Sequence, residues 1–175
     1  MEMLVSVNGL LSAQGLLLKE GNQWRFGIKA HIGVDAASGV VHTVGSTAGH
    51  VADVTEGNAL LHGQETVVFA DAGYQGAGKR PNAKPGVRWQ VAMRPGKHRE
   101  LDKVNSPIDT LIDKIEKLKA GIQAKVEHPF RVIKGHFGFV KLRYRGLKKN
   151  TLQFRTLFAL SSLWLVRLQL IVAQG

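Results

Sequence analysis

Asp71 stands at the end of the run Thr66-Val67-Val68-Phe69-Ala70 and opens the turn Asp71-Ala72-Gly73-Tyr74-Gln75-Gly76. A carboxylate at the carboxyl end of a buried strand, followed by a glycine turn, is a common place for a metal ligand or a catalytic group. The same residues also suit a turn aspartate that caps the next segment, and local sequence leaves both readings open. Glu127 is the second candidate. It adjoins the apolar Val126, with Arg131 four and Lys134 seven positions further along the same helical face. Either it is aimed at the sheet and shares a metal ion with Asp71, or it forms an ordinary i,i+4 pair with Arg131 on a solvated face. The third feature is a cation set that includes Lys125, Arg131, Lys134, Lys141, Arg143 and Arg145, with Phe137, Phe139 and Tyr144 interleaved. Such a surface suits backbone phosphates, which position a nucleic acid without reading its sequence.

The charge balance supports that third feature. The 175 residues hold 24 Lys+Arg against 13 Asp+Glu, a formal net charge of +11. The excess is uneven: residues 1–74 carry three basic and seven acidic side chains, residues 75–175 carry 21 basic and six acidic. A polyanionic partner, nucleic acid first, follows from this split. There is no cysteine, which removes disulfides, thiolate metal sites and cysteine nucleophiles and fits a reducing cytosol. Walker, GxSxG and GxGxxG motifs are absent, and the seven histidines show no helical ligand spacing. The N-terminus has an acidic residue at position 2 and no basic leader region, which argues against an export signal. The stretch Thr156 to Val166 falls short of a membrane span.

The elements that must position these residues read as a mixed α/β domain. Trp24 to Val34 alternates, with Trp24, Phe26, Ile28, Ala30, Ile32 and Val34 on one face, and predicts a half-buried strand. Asp35 to Gly39 is turn chemistry, so Val40 to Val44 completes a hairpin, and His31 and His42 read as strand residues. Asp53-Val54-Thr55-Glu56 resembles a capping box for a short helix ending near His62. Thr66 to Ala70 reads as a central strand and Val87 to Met93 as another. Ser106-Pro107 starts a long helix, with Asp109 at its third position. Its apolar stripe runs through Ile108, Leu111, Ile112, Ile115, Leu118, Ile122, Val126, Phe130 and Ile133, with a kink at Pro129. Asn150 reads as the cap of a final, mostly buried helix reaching about Val172. Residues 1–20 show no clean period, and residues 21–175 read as one domain.

Several blocks then carry a specific resemblance: Gly21-Asn22-Gln23-Trp24, Lys29 to Asp35, Leu60-Leu61-His62-Gly63, Asp71 to Gly76, Arg94-Pro95-Gly96-Lys97, Lys125 to Lys134 and Arg143 to Asn150. In order and spacing, Gly21 to Leu170 resembles the C-terminal part of bacterial insertion-sequence transposases of the DDE type, insertion sequence family five. The resemblance implies a ribonuclease-H-like mixed sheet with flanking helices and three carboxylates that bind two Mg²⁺ ions. It assigns catalytic and metal-binding roles to Asp71 and Glu127, and a contact with transposon-end DNA to Lys134. It also implies double-stranded DNA as substrate, action in the bacterial cytoplasm at the nucleoid, and assembly with itself or with a full-length transposase.

Two departures qualify it. The family's first aspartate lies on a strand upstream of the Gly-Asn-Gln-Trp block, where residues 1–20 contain no aspartate. The expectation is therefore an N-terminally truncated domain with its first, central strand missing. Marginal stability or compensating self-association would follow, with weak or absent catalysis. Asp35 cannot fill the gap, because the family carries an aspartate there as well. Gln123 stands where the family usually has an arginine, removing one cation near Glu127. The alternative function is a non-catalytic DNA-binding or transposase-interacting module that acts as an inhibitor.

Overall fold

The computed structural model describes residues 2–20 and 23–172, with side chains from residue 27. Five strands make one sheet: β1 (Glu2–Glu20), β2 (Gln23–Asp35), β3 (Val41–Ala48), β4 (Val67–Ala70) and β5 (Arg88–Val91), in the order β3-β2-β1-β4-β5. β1, β2 and β3 pair antiparallel; β4 runs parallel to β1, and β5 parallel to β4.

The expectation that residues 1–20 are unpatterned and that the first strand is missing is corrected here. β1 lies between β2 and β4 and fills the central place of the sheet. Its lack of period has a physical reason. The register against β2 shifts between Val7 and Leu10 and again between Ser12 and Leu17. The shifts bracket Gly9 and Gly15, and glycines inside strands commonly mark such bulges. The first shift inserts one residue, which reverses the in–out alternation, and the second inserts four, which interrupt the run that a periodicity reading depends on.

The two faces of the sheet carry separate cores. On one, Ile28, Ala30, Ile32 and Val34 of β2 pack with Val126, Phe130, Ile133, Phe139, Phe154 and Phe158. On the other, Val68 and Ala70 of β4 pack with Leu60, Leu61, Tyr74 and Ala77, bordered by Val87, Trp89 and Val91. β2 is thus covered on both sides rather than half-buried, since His31 on its second face has no exposed surface. The Asp35 turn forms as expected. Its carboxylate accepts from Ala37 N, Ser38 N and Ser38 Oγ, which holds its pKa below the usual carboxylate range. Gly39 supplies φ +75°.

The helices follow the sequence less closely. The expected helix at Asp53 is two short 3₁₀ turns, Asp53–Thr55 and Gly57–Leu60, and Asp53 caps neither of them. A short α1 (Pro95–Arg99) precedes α2 (Pro107–Gln123). The chain continues through a 3₁₀ turn to α3 (Glu127–Arg131) and a π turn, Val132–His136. The single long helix is therefore divided. Because helical bonding restarts at Glu127, Pro129 falls in a first turn, where its missing N–H costs little. The apolar stripe also holds only over its second half. Ile108, Leu111, Ile115 and Leu118 are exposed, while Val126, Phe130 and Ile133 are buried. The period is correct throughout, but only the region from Ile122 onward joins the core on the sheet.

At the start of α2 the cap is as predicted: Ser106 Oγ accepts from Asp109 N at 3.2 Å. Ser106→Ala is expected to destabilise the fold by about 1 kcal/mol, measured by urea unfolding followed by circular dichroism. Asp113 fastens this helix to the preceding loop. Its carboxylate pairs with Lys103 and Lys117 at 2.7 Å and with His98 at 3.0 Å. Hydrogen bonds from Lys103 and Lys117 hold its pKa well below the carboxylate range.

The last helix, α4 (Leu147–Val172), begins before Asn150. The Asn150 side chain lies inside it and donates to the Tyr144 and Gly146 carbonyls at 2.8 and 2.7 Å, tying the preceding loop down. α4 is long and apolar enough to cross a membrane by length and composition. Here it is seated on the sheet through Phe154, Phe158, Ser161 and Ser162, with Ser162 Oγ accepting from Val41 N. The expectation of a mostly buried helix does not hold, because Leu152, Leu160, Leu163, Leu168 and Ile171 face outward.

Candidate functional site

Asp71 follows β4 with extended backbone, φ −70° and ψ 172°, and its Oδ1 accepts from Gly73 N at 2.8 Å. It therefore does cap the turn Ala72–Tyr74, the plainer of the two roles its sequence context allows. A second carboxylate is beside it. Asp53 Oδ2 and Asp71 Oδ1 would lie 2.8 and 3.0 Å from a Cβ built at Gly73, so both acidic groups crowd the glycine. Any larger residue at 73 would have to displace one of them. Asp53 is neutralised on its other side, where Lys29 Nζ contacts Oδ1 at 2.7 Å and also donates to the Val51 carbonyl.

Beneath these groups runs a buried polar chain. His31 Nε2 lies 2.7 Å from Thr47 Oγ1 and His31 Nδ1 lies 3.2 Å from the Tyr74 hydroxyl. Burial lowers the His31 pKa to about 4; Asp53 opposes that shift and Lys29 adds to it, so the imidazole is neutral at pH 7. Burial, with the charges of Asp71, Asp53 and Glu56, pushes the Tyr74 phenol far above its ordinary range. Tyr74 thus serves as a neutral hydrogen-bonding group, stacked on Trp89 with ring centroids 6.5 Å apart. His42 meets His62, centroid to centroid, at 4.6 Å.

The other anticipated residues lie elsewhere. Glu127 is exposed and faces Arg131 at 3.7 Å, the solvated i,i+4 pair of the plainer reading. Among the described residues, no three His, Cys, Asp or Glu side chains are gathered closely enough to hold a metal ion. Lys125 donates to the Ala36 carbonyl at 3.0 Å and pins the β2–β3 turn. Lys134 borders the packed Phe130, Ile133, Phe139, Phe154 and Phe158. Lys141, Arg143 and Arg145 are exposed and enter no ion pair among the described residues.

Sequence reasoning overlooked Lys29, Asp53, Thr47 and the linking role of Tyr74. One signal was present: Lys29 and His31 alternate with Ile28, Ala30 and Ile32, and polar residues recurring on one face of a strand this apolar have partners to meet. Which partners is a matter of chain crossing.

The pairing of β1 with β4 gives a second constraint. Glu2 is level with Val67 and Val5 with Ala70, the residue before Asp71. β1 has no aspartate. Its Glu2 lies three residues before Val5, roughly 10 Å away along the strand at about 3.3 Å per residue, and Glu20 is at the far end of β1, against Gln23.

Compared with known proteins, residues 13–163 match the family described as transposase DDE domain. No solved structure matches the chain.

Proposed function

The chain belongs to the transposase DDE-domain family, and from that premise we propose that it is a catalytically deficient transposase domain that retains affinity for DNA. Transposases of this family act on DNA and use divalent metal. The side chains described do not fit a two-ion site. Such a site needs carboxylates converging from several elements so that two ions are held roughly 3.5–4 Å apart. Here Asp71 has Asp53 beside it, and Lys29 already occupies Asp53. Glu127 is turned to Arg131. The observation that carries the proposal is the register of β1, which pairs Val5 with Ala70, the residue before Asp71, on a strand that contains no aspartate.

The finer family assignment belongs to the same reading. The sheet order β3-β2-β1-β4-β5, three antiparallel strands followed by two parallel ones, supports a ribonuclease-H-like core. The sequence blocks support insertion sequence family five. The basic segment from Lys125 to Lys149 supplies the phosphate contacts. Binding through it should weaken as salt rises, with a log–log slope of about −0.9 for each duplex phosphate neutralised.

A nicking and strand-transfer assay on transposon-end DNA, with Mg²⁺ and with Mn²⁺, tests the proposal. We expect salt-dependent binding without appreciable cleavage, and the same binding in Asp71→Ala and Glu127→Ala. Robust cleavage that disappears in Asp71→Ala would overturn the deficiency. A second reading, a module that joins and inhibits a full-length transposase, is favoured by the outward-facing Ile108, Leu111, Ile115 and Leu118 of α2. Adding this chain to an active transposase should then depress its strand transfer in proportion to the amount added.

A further inference from the structure

We propose that the groove where the Tyr144 loop meets the start of α4 is a binding site for an unpaired nucleotide of single-stranded DNA, with Tyr144 as its stacking platform. The inference rests on the DNA-binding reading and deepens it. The groove is open, about 500 Å³, and is lined by Tyr144, Lys149, Leu152, Gln153, Thr156 and Leu157. That volume lies within the usual range for sites that take small organic groups.

Three observations converge on the ligand class. First, Tyr144 is half exposed, at 50% of its surface, and makes no hydrogen bond or ring contact through its side chain among the described residues. Its loop is nevertheless held in place, because Asn150 bonds the carbonyls of Tyr144 and Gly146 from inside α4. An available aromatic ring carried on an anchored backbone is suited to stacking. Second, five cations fall within Lys141–Lys149, with no acidic residue among them. They form no ion pair among the described residues. The floor beside Tyr144 is apolar, through Leu152 and Leu157. A flat apolar group bearing a phosphate matches this pairing of surfaces. Third, the side-chain oxygen of Gln153, in the groove wall, is buried without a hydrogen-bond partner. A buried amide oxygen left unpaired is costly, and a rotation of the Gln153 side chain toward the groove would offer its amide to the polar edge of a base.

The geometry favours a single strand over a duplex. In a duplex the base faces are stacked on one another, and only the edges and the backbone are offered. An unpaired base exposes its face, and proteins hold such bases by aromatic stacking beside a cationic track. In this groove Tyr144 takes the face, Gln153 an edge, and Lys149 with Arg143 and Arg145 the backbone.

The test uses a short oligothymidine with one central 2-aminopurine, alongside a duplex of mixed sequence, both at low salt. We expect quenching of the 2-aminopurine on binding, because stacking quenches its fluorescence. Tyr144→Ala should weaken the single strand about tenfold, near the low end for one base–aromatic stack, abolish the quenching and leave duplex affinity unchanged. Tyr144→Phe should restore both affinity and quenching, and Gln153→Leu should lower single-strand affinity with quenching retained. The inference fails if Tyr144→Ala binds and quenches like the unaltered protein while duplex binding is intact. If the unaltered chain binds neither probe, the DNA-binding reading fails with it.

Discussion

Phe158→Ala is expected to destabilise the protein by about 3–5 kcal/mol, the range for deleting a buried aromatic side chain. Phe158 is 1% exposed and meets Phe130 edge to face, ring centroids 5.0 Å apart. A second such contact, Phe139 with Phe154 at 5.9 Å, lies in the same core. Together they fix α4 and the α3 region against β2. The removed ring contributes both its transfer free energy and the cost of the cavity left behind. A domain of this size has only about 5–15 kcal/mol in total, so the variant should lose a large share of it and unfold at a markedly lower urea concentration. Urea titration monitored by tryptophan fluorescence measures the loss. As a control, Leu160→Ala, on the exposed side of the same helix, should change stability by about 0.5 kcal/mol or less. Equal losses at the two positions would mean that α4 is not seated as described.

The second large effect is on pH. His31 is fully buried, and its pKa in the folded protein is about 4 against an ordinary value of 6.5. Between those values the unfolded chain binds a proton that the folded one excludes, so stability rises with pH across that window. The contribution is complete above about pH 6.5 and is lost on acidification toward pH 4. By then the loss amounts to about 3 kcal/mol, because each pH unit between the two pKa values is worth about 1.36 kcal/mol. His31→Gln removes the titrating group and keeps a polar side chain near Thr47 and Tyr74. At pH 7 the variant is expected to be less stable, because the Tyr74 and Thr47 hydroxyls lose an ideal partner. Its stability should then fall less between pH 6.5 and 4 than that of the unaltered protein. Urea unfolding at several pH values compares the two slopes, and parallel slopes would remove His31 as the source of the acid sensitivity.

Both predictions concern residues whose type was legible in the sequence and whose partners were not. The alternation Ile28, Ala30, Ile32, Val34 sets one face of β2 without further information. That His31 on the opposite face would be sealed from solvent depends on Tyr74, which arrives from beyond β4. Likewise Asp53 fitted a capping box, yet its carboxylate turned to Lys29 of β2. A local cap competes with a long-range ion pair, and only the packed sheet decides which forms.

The helical region teaches the same lesson in the other direction. The stripe from Ile108 to Ile133 has a flawless helical period, and period alone says that one face is apolar. It does not say that a partner is present along the whole length. The first half of α2 is left without such cover, so Ile108, Leu111, Ile115 and Leu118 stay exposed. β1 shows the converse, a strand without a period, because bulges reset the alternation and pairing on both sides stabilises it regardless.

The sequence by itself determined the covalent facts: an uneven charge, no cysteine, an aspartate after an apolar strand, and no aspartate in the first twenty residues. It also carried the resemblance to DDE transposases, the level at which the family match agrees. Only the tertiary structure decided that residues 2–20 fill the centre of the sheet, that Val5 pairs with Ala70 just before Asp71, that Asp71 sits beside Asp53, itself held by Lys29, and that Glu127 pairs with Arg131. The reason is physical. Residue type and local period are fixed by covalent order and backbone geometry over a few residues. Strand register, burial on both faces and the meeting of charges are set by contacts between segments tens of residues apart.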